Sequence, residues 1–146
     1  MTEDLYHLGI KALIRNAAGK ILLLQVNPEK LHGGRADYWD LPGGRVQKGQ
    51  SVTDTLQREV LEETGVQDIS SIQPVGMVLA NIRIPLTEQD TVGLILSVYS
   101  CAVPEDSVIA ISDEHIAYDW FAPAKAAELL AVKYPQEFCE LIGKLT

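Results

Sequence analysis

Residues 51–65 read SVTDTLQREVLEETG, and this segment predicts the helix that organises the rest of the fold. Ser51 is a favourable N-cap, and Asp54 stands three residues later, where a carboxylate completes a capping box. Gly65 suits the first position after the helix, because glycine adopts the left-handed conformation without strain. We therefore predict a helix that begins after Ser51 and ends before Gly65.

Three glutamates of this helix lie on or beside its apolar side. At 3.6 residues per turn, one stripe of the helix is formed by Val52, Leu56 and Val60. Glu59 and Glu63 continue that stripe, and Glu62 lies next to it. Burying like charges together is costly unless a cation neutralises them. Carboxylate oxygens are ligands that Mg²⁺ prefers, so the pattern indicates a magnesium site. On spacing alone, a solvated acidic patch explains the glutamates equally well.

The loop ahead of the helix favours the metal site. It contains Gly43 and Gly44, and adjacent glycines allow a ligand to approach the backbone closely. The Gly43 carbonyl is a candidate metal ligand. Arg58 adjoins the glutamates in sequence and can orient one carboxylate through a bidentate pair.

These residues together resemble the Nudix box, whose pattern is G-x5-E-x7-R-E-U-x-E-E-x-G-U with U aliphatic. The 23 residues from Gly44 to Val66 match it at every fixed position but one. The exception is Gln50, where the box has Glu, so the full number of bound metal ions is open. The preceding Leu41-Pro42-Gly43 is also similar to the lead-in of the family. The resemblance implies an α/β/α sandwich with a mixed β-sheet.

The resemblance also implies a reaction. Nudix hydrolases cut a phosphoanhydride in a nucleoside diphosphate linked to another group X, with Mg²⁺ as cofactor and Mn²⁺ as a substitute. The short, MutT-like chain favours a nucleoside triphosphate, oxidised ones included, which would give NMP and pyrophosphate. A nucleotide-sugar or ADP-ribose pyrophosphatase and a non-catalytic nucleotide- or metabolite-binding module are the alternatives.

The implied roles fall on a small set of residues. The metal ligands are Gly43, Glu59, Glu62 and Glu63, and Arg58 orients the carboxylates. Glu114 is the first candidate for a general base outside the box. The rival acids are Glu88, Asp90 and Asp113.

Substrate recognition is less defined by the sequence. The candidates for contact with the nucleotide are Arg35, Trp39 and Gly44. Trp39 can stack on a nucleobase, although its neighbour Leu41 suggests a core position. His32 lies on the same loop as Arg35, and Lys11 and Arg83 on predicted strands are weaker candidates.

The chain as a whole has groups of strands separated by helices, without strict βαβ alternation. Strands are predicted at 7–15, 21–26, 72–84, 91–103 and 117–122. The first two surround a turn at 16–20 and are interpreted as a hairpin. Pro123 can open a helix over 124–132, and a last helix follows Pro135. This order predicts a mixed sheet with helices on both faces, as a single domain over 1–146.

Composition limits the partners. The formal net charge of −8 and the pI of about 4.8 argue against binding to nucleic acid, which requires clustered Lys and Arg. No apolar run is long enough to span a bilayer, and the acidic N-terminus lacks the features of a signal peptide. We therefore expect a cytoplasmic monomer or homodimer that acts on a small nucleotide and has no membrane partner.

Overall fold

The structure is a computed structural model that describes residues 2–30 and 38–146. The strands in these ranges are Tyr6–Ile14 (β1), Ile21–Val26 (β2), Trp39–Asp40 (β3), Gly43–Arg45 (β4), Ser70–Leu79 (β5), Ile84–Pro85 (β6), Thr91–Ala102 (β7) and His115–Phe121 (β8). The α-helices are Val52–Thr64 (α1), Pro123–Leu130 (α2) and Gln136–Gly143 (α3). A 3₁₀ turn at Pro28–Lys30 follows β2.

The strands form two sheets. The larger sheet has the order β4-β1-β7-β5, and β6 pairs with the beginning of β7. Within it β1 and β7 run parallel, whereas the other pairs are antiparallel. The second sheet is antiparallel and has the order β3-β2-β8. The prediction of a mixed sheet in an α/β fold is therefore confirmed.

The predicted hairpin of the first two strands is wrong. β1 and β2 belong to different sheets, and a single bridge between Arg15 and Ile21 joins them. The turn itself is present, because the Asn16 side chain accepts hydrogen bonds from the amides of Ala18 and Lys20. Both strands are buried on two faces, so each needs strand neighbours on its edges and helices above and below. They find these neighbours in different sheets.

Two hydrophobic cores separate the helices from the sheets. On one side α1 packs on strand residues whose side chains share a face, with Ile10, Ala12, Ile14, Leu22 and Leu24 as members. On the other side α2 and α3 cover a core that includes Leu13, Ile21, Leu23, Leu94 and Leu96. Successive side chains of β1 and β2 thus point alternately into the two cores. With helices packed on both sides of the sheets, the result is an α/β/α sandwich.

Helix α1 has the predicted ends. The Asp54 amide donates to Ser51 Oγ at 3.1 Å, and the Ser51 amide donates to Asp54 Oδ2 at 3.4 Å. Gly65 adopts φ 77°, and its amide donates to the Leu61 carbonyl. Because the capping box and the left-handed glycine define both ends, the rotation of the helix about its axis is determined by its buried stripe.

Two elements differ in extent from their prediction. The strand expected over 72–84 ends at Leu79, because the chain turns at Asn81, whose side-chain amide donates to the carbonyls of Ala131 and Tyr134. The helix expected over 124–132 begins at Pro123 and ends at Leu130. No helix in the described ranges combines the length and the apolar character that crossing a membrane requires.

Replacement of the N-cap tests the contribution of the capping box. We expect Ser51→Ala to lower the free energy of unfolding by about 1 kcal/mol, because the Asp54 amide loses its acceptor. Urea denaturation followed by circular dichroism measures the change. Ser51→Asp is the control, since its carboxylate also caps, and it should stay close to the parent. An alanine variant as stable as the parent would contradict the assignment.

Candidate active site

A cleft of about 710 Å³ opens where α1 faces β4 and the beginning of β1. Its acidic side is formed by Glu59, Glu62, Glu63 and Glu114. Its other polar residues include His7, Arg45, Gln47 and Arg58. The predicted acids of α1 and Glu114, which are about fifty residues apart in sequence, therefore lie around one cavity.

Gly43 fixes the position of Glu63. Its amide donates a hydrogen bond of 2.8 Å to Glu63 Oε1, and the Glu63 residue is only 5% exposed. Gly43 has φ 150°, and a Cβ at this position would lie 2.1 Å from the Ile10 carbonyl oxygen. A side chain is thus excluded, and only glycine lets β4 approach β1 closely enough to present this amide.

Gly44 leaves the space that Glu59 occupies. A Cβ on Gly44 would lie 2.4 Å from the carboxylate carbon of Glu59. The Glu59 residue is 9% exposed, so its carboxylate rests against the backbone of β4. The two glycines consequently position two different glutamates. Gly43 donates a hydrogen bond to Glu63, and the missing side chain of Gly44 leaves room for Glu59.

Arg58 connects the remaining acids. Its Nη1 lies 3.1 Å from Glu59 Oε1 and 3.8 Å from Glu62 Oε2. Its Nη2 donates to the Arg45 carbonyl at 3.4 Å. The Glu62 side chain is 57% exposed, so it faces the open part of the cleft. Arg58 thus approaches two carboxylates through one nitrogen, where a bidentate pair with one carboxylate was expected, and its orienting role stays a prediction.

Burial changes the ionisation of the two enclosed acids. Burial raises the pKa of Glu63 to about 8, against the attraction of Lys11 and the hydrogen bond from Gly43. Burial also raises the pKa of Glu59, with Arg58 opposing and Glu62 adding to the rise. Without a cation the folded chain therefore favours a proton on Glu63 at neutral pH.

A buried ionic cluster lies below the cleft and was not predicted from the sequence. Asp40 Oδ2 accepts from the Nζ atoms of Lys11, at 3.0 Å, and Lys133, at 2.5 Å. Asp40 Oδ1 accepts from the Tyr134 hydroxyl at 2.6 Å. Burial raises the pKa of Asp40, but the two lysines reverse this effect and the net pKa is well below its usual value. The only local signal was Lys11 inside an apolar strand.

The other predicted residues are placed as follows. Glu114 is exposed at the rim of the cleft, just before β8. Trp39 lies outside the cleft and packs edge-on against Phe121, with ring centroids 5.0 Å apart. The structure thus places Trp39 at a packing position, and no contact brings it to the acids. Arg35 and His32 lie outside the described residues.

The rival acids and weaker candidates are scattered. Glu88 and Asp90 lie between β6 and β7, away from the cleft, and Asp113 pairs with Lys30 at 3.5 Å. Arg83 binds Asp4 at the surface. Sequence reasoning missed His7 and Arg45, which line the cleft and contact each other at 3.1 Å between Nδ1 and Nη1. The position of Arg45 directly after the two glycines was the available signal.

The donor set fits a hard cation by its chemistry. The cleft offers carboxylate and backbone oxygens, which suit Mg²⁺ or Mn²⁺ and do not suit soft metals. Within residues 2–30 and 38–146, no three or more His, Cys, Asp or Glu side chains are already arranged to hold a metal ion. Glu59 instead pairs with Arg58, and Glu63 bonds to the Gly43 amide, so these two protein contacts compete with a metal for the carboxylates.

The pH dependence of stability tests the burial of Glu63. When the pKa of a carboxyl is higher in the folded chain than in the unfolded chain, the protein loses stability as pH rises, here between about pH 4.5 and about pH 8. In EDTA, Glu63→Gln should remove this loss, so its Tm at pH 8 should exceed that of the parent by several degrees. Glu62→Gln is the exposed control and should change little. Equal pH profiles for the parent and Glu63→Gln would show that Glu63 is not buried as a costly acid.

Comparison with known proteins identifies the family of this chain. Residues 5–141 match the NUDIX domain family. The nucleoside triphosphatase NudI of Salmonella heidelberg (strain SL476) is 30% identical over 118 residues, which cover 79% of this chain and 81% of that protein. The CTP pyrophosphohydrolase of Escherichia coli (strain K12) is 28% identical over 82% of this chain and 78% of its own length. A putative 8-oxo-dGTP diphosphatase of Bacillus subtilis (strain 168) is 39% identical, but the match spans only 36% of that protein.

Solved structures share the fold. A MutT protein from Methanosarcina mazei Go1 is 31% identical, with a TM-score of 0.67 and coverage of 97% of this chain and 96% of that chain. The dihydroneopterin triphosphate pyrophosphohydrolase of E. coli superposes with a TM-score of 0.68 over 94% and 96% of the two chains at 20% identity, which shows the fold alone. Members of this family generally use divalent metal ions. With the family matched over residues 5–141 and its sequence box folded around one acidic cleft, the chain belongs to the NUDIX family of hydrolases.

Proposed function

We propose that the protein hydrolyses a phosphoanhydride of a nucleoside triphosphate in the presence of Mg²⁺, releasing a nucleoside monophosphate and pyrophosphate. The observation that carries this proposal is the burial of Glu59 and Glu63 at the wall of a cleft that also holds Glu62. Buried acids beside one another are costly in a protein without a cationic ligand. The names of the NudI and CTP pyrophosphohydrolase relatives support a triphosphate as the substrate.

The residues of the cleft would have different roles in binding the cation. Glu59, Glu62 and Glu63 would hold the cation, together with the Gly43 carbonyl, and Arg58 would keep two of the carboxylates in orientation. A bound divalent cation neutralises charge on phosphate oxygens and activates water. Gly44 leaves the space in which the Glu59 carboxylate lies, and so lets this proposed ligand reach the cleft.

Glu114 is the proposed general base. It lines the same cleft as the α1 glutamates but stands on a different element, just before β8. Its carboxylate is exposed and, among the ion pairs of the described residues, it forms none with Arg58, unlike Glu59 and Glu62. A carboxylate outside the cation's ligand set keeps the lone pair that accepts a proton from water.

Removal of one exposed carboxylate tests the hydrolase proposal. We expect the parent to release NMP from a triphosphate with Mg²⁺ and to stop in EDTA. Glu62→Gln should lower kcat by roughly two orders of magnitude with Tm unchanged, because this side chain is exposed and contributes charge without packing. Chromatography of the nucleotide products measures the rate.

Glu137→Gln is the matched control, since Glu137 is an exposed acid on α3, distant in the fold from the cleft. Its rate should equal that of the parent. If Glu62→Gln also turns over at the parental rate, the proposed role of the carboxylates is wrong.

A non-catalytic nucleotide-binding module is the second candidate, and Gln50 favours it. The side chain stands where the family's box has Glu, and its Oε1 is buried without a hydrogen-bond partner among the described residues. A lost carboxylate at this position removes one negative charge from the surroundings of α1.

Gln50→Glu distinguishes the two candidates. If the natural protein is an enzyme, restoring the carboxylate should change kcat less than about tenfold, because the three glutamates of α1 are already in place. A gain of several orders of magnitude would identify the natural protein as a binder. The assay is NMP release at saturating Mg²⁺, with Gln47→Glu on the same loop as the control for added charge.

A further inference from the structure

A second cavity, of about 240 Å³, opens next to the acidic cleft. Both cavities are lined by Gly44 and Arg45, so the two adjoin at β4. A chain of phosphates bound in the cleft would therefore place the nucleoside attached to it close to the smaller cavity. The volume corresponds to about eight water molecules at roughly 30 Å³ each, which is sufficient for a planar heterocycle.

The walls of this cavity are apolar. Leu94 and Leu96 of β7 form one side, and Ile82 and Ile84 form another. Gly9 of β1 leaves the surface between them open, because a Cβ there would come within 3.0 Å of Leu96 Cδ2. Apolar walls suit the faces of an aromatic ring and do not suit a phosphate.

The polar residues of the cavity include two buried lysines, and Arg45 and Tyr38 also line it. Lys11 and Lys133 are each 7% exposed, and both bind Asp40. An ammonium has three N–H donors and no acceptor. Lys11 uses two of them, on Asp40 and the Leu41 carbonyl, whereas Lys133 uses one, on Asp40. Counting only contacts among the described residues, three N–H donors are therefore left for a ligand.

We propose that this cavity binds the base of the nucleotide substrate and that Lys11 and Lys133 select a base with a carbonyl at purine C6 or pyrimidine C4 over a base with an amino group at that position. The proposal rests on the hydrolase function proposed above. A carbonyl oxygen accepts from an ammonium, whereas an amino group would set donor against donor and leave both unpaired inside the protein.

The charge of the cluster supports this selection. Two ammonium groups share the single carboxylate of Asp40, so the cluster has an excess of positive charge next to apolar walls. Burial lowers the pKa of Lys133 to about 8, with Asp40 opposing. An assay at pH 7 therefore keeps Lys133 as a donor.

ITP and ATP are the matched pair of substrates, since they differ at the C6 substituent and the adjoining ring nitrogen. At pH 7 with Mg²⁺, kcat/KM for ITP should exceed that for ATP by roughly tenfold or more. The difference should lie in KM, because the base is remote from the bond that is cut. Equal kcat/KM values for ITP and ATP, or a preference for ATP, would overturn the selection.

Variants of Lys133 assign the effect to the cavity. Lys133→Met removes the ammonium donors and keeps a side chain of similar length. It should reduce the ratio of kcat/KM for ITP to kcat/KM for ATP to within about threefold, as expected for a pocket that discriminates by shape alone. Lys133→Gln keeps a donor and adds an acceptor, so it should also accept ATP. Lys144→Met, an exposed position on the C-terminal segment, is the control and should keep the parental ratio.

Binding of the products separates this proposal from the hydrolase proposal. IMP should raise the Tm of the parent in EDTA more than AMP at the same concentration, and this measurement needs neither turnover nor a stable variant. If no triphosphate is hydrolysed but IMP stabilises more than AMP, the cavity is correctly assigned and the hydrolase proposal is wrong. Equal stabilisation by IMP and AMP would refute the assignment of the cavity.

Discussion

The burial of Glu59 and Glu63 against the two glycines of β4 is the constraint on which this structure depends. Glu59 and Glu63 are one turn apart on α1, and each meets a different glycine of β4. A carboxylate inside a protein needs hydrogen bonds or opposite charge to offset its lost hydration. Here the Gly43 amide and Arg58 supply part of that compensation. A cation would supply the rest, and this is the physical basis of the proposed metal site.

The same constraint explains why the ends of the helix are so well defined. A rotation of α1 by one residue, about 100°, would carry Glu63 away from the Gly43 amide and expose Leu56 and Val60 to water. The capping box at Ser51 and the left-handed Gly65 prevent such a shift, since each end has its own hydrogen bonds. The capping residues thus help to fix the rotation of α1 about its axis, which orients the acids of the cleft. Helix propensity alone would not fix this rotation.

Much of this could be predicted from the sequence because it depends on neighbours along the chain. The ends of α1, its acidic stripe and the strand pattern of β1 all follow from spacing, and the structure confirms them. The hairpin prediction failed because a turn fixes only where the chain reverses, whereas the partner of each strand depends on residues far away. Gly43 and Glu63, 20 residues apart, were joined by the resemblance to the Nudix box.

Other parts of the site have no local signal. The cluster around Asp40 joins residues 29 to 94 positions apart, and neither Lys133 nor Tyr134 belongs to a recognisable motif. From the sequence, Trp39 is a candidate for stacking on a nucleobase. In the fold, its ring instead packs edge-on against Phe121. In both cases a polar or aromatic side chain is committed by a contact that only the tertiary structure creates.

The charges around the cleft limit how it can accept a triphosphate. Its lining includes four carboxylates and the guanidinium groups of Arg45 and Arg58, a formal charge of −2. A single divalent cation balances that charge but leaves the phosphates themselves unmatched, so further positive charge is needed when substrate binds. Glutamate in place of Gln50 would increase the deficit. Additional positive charge lies in Lys11 and Lys133, which are held by Asp40 beside the smaller cavity. In the proposed assignment, the acids at one wall bind the phosphate end of the substrate through the cation, and the ammonium groups bind its nucleoside end.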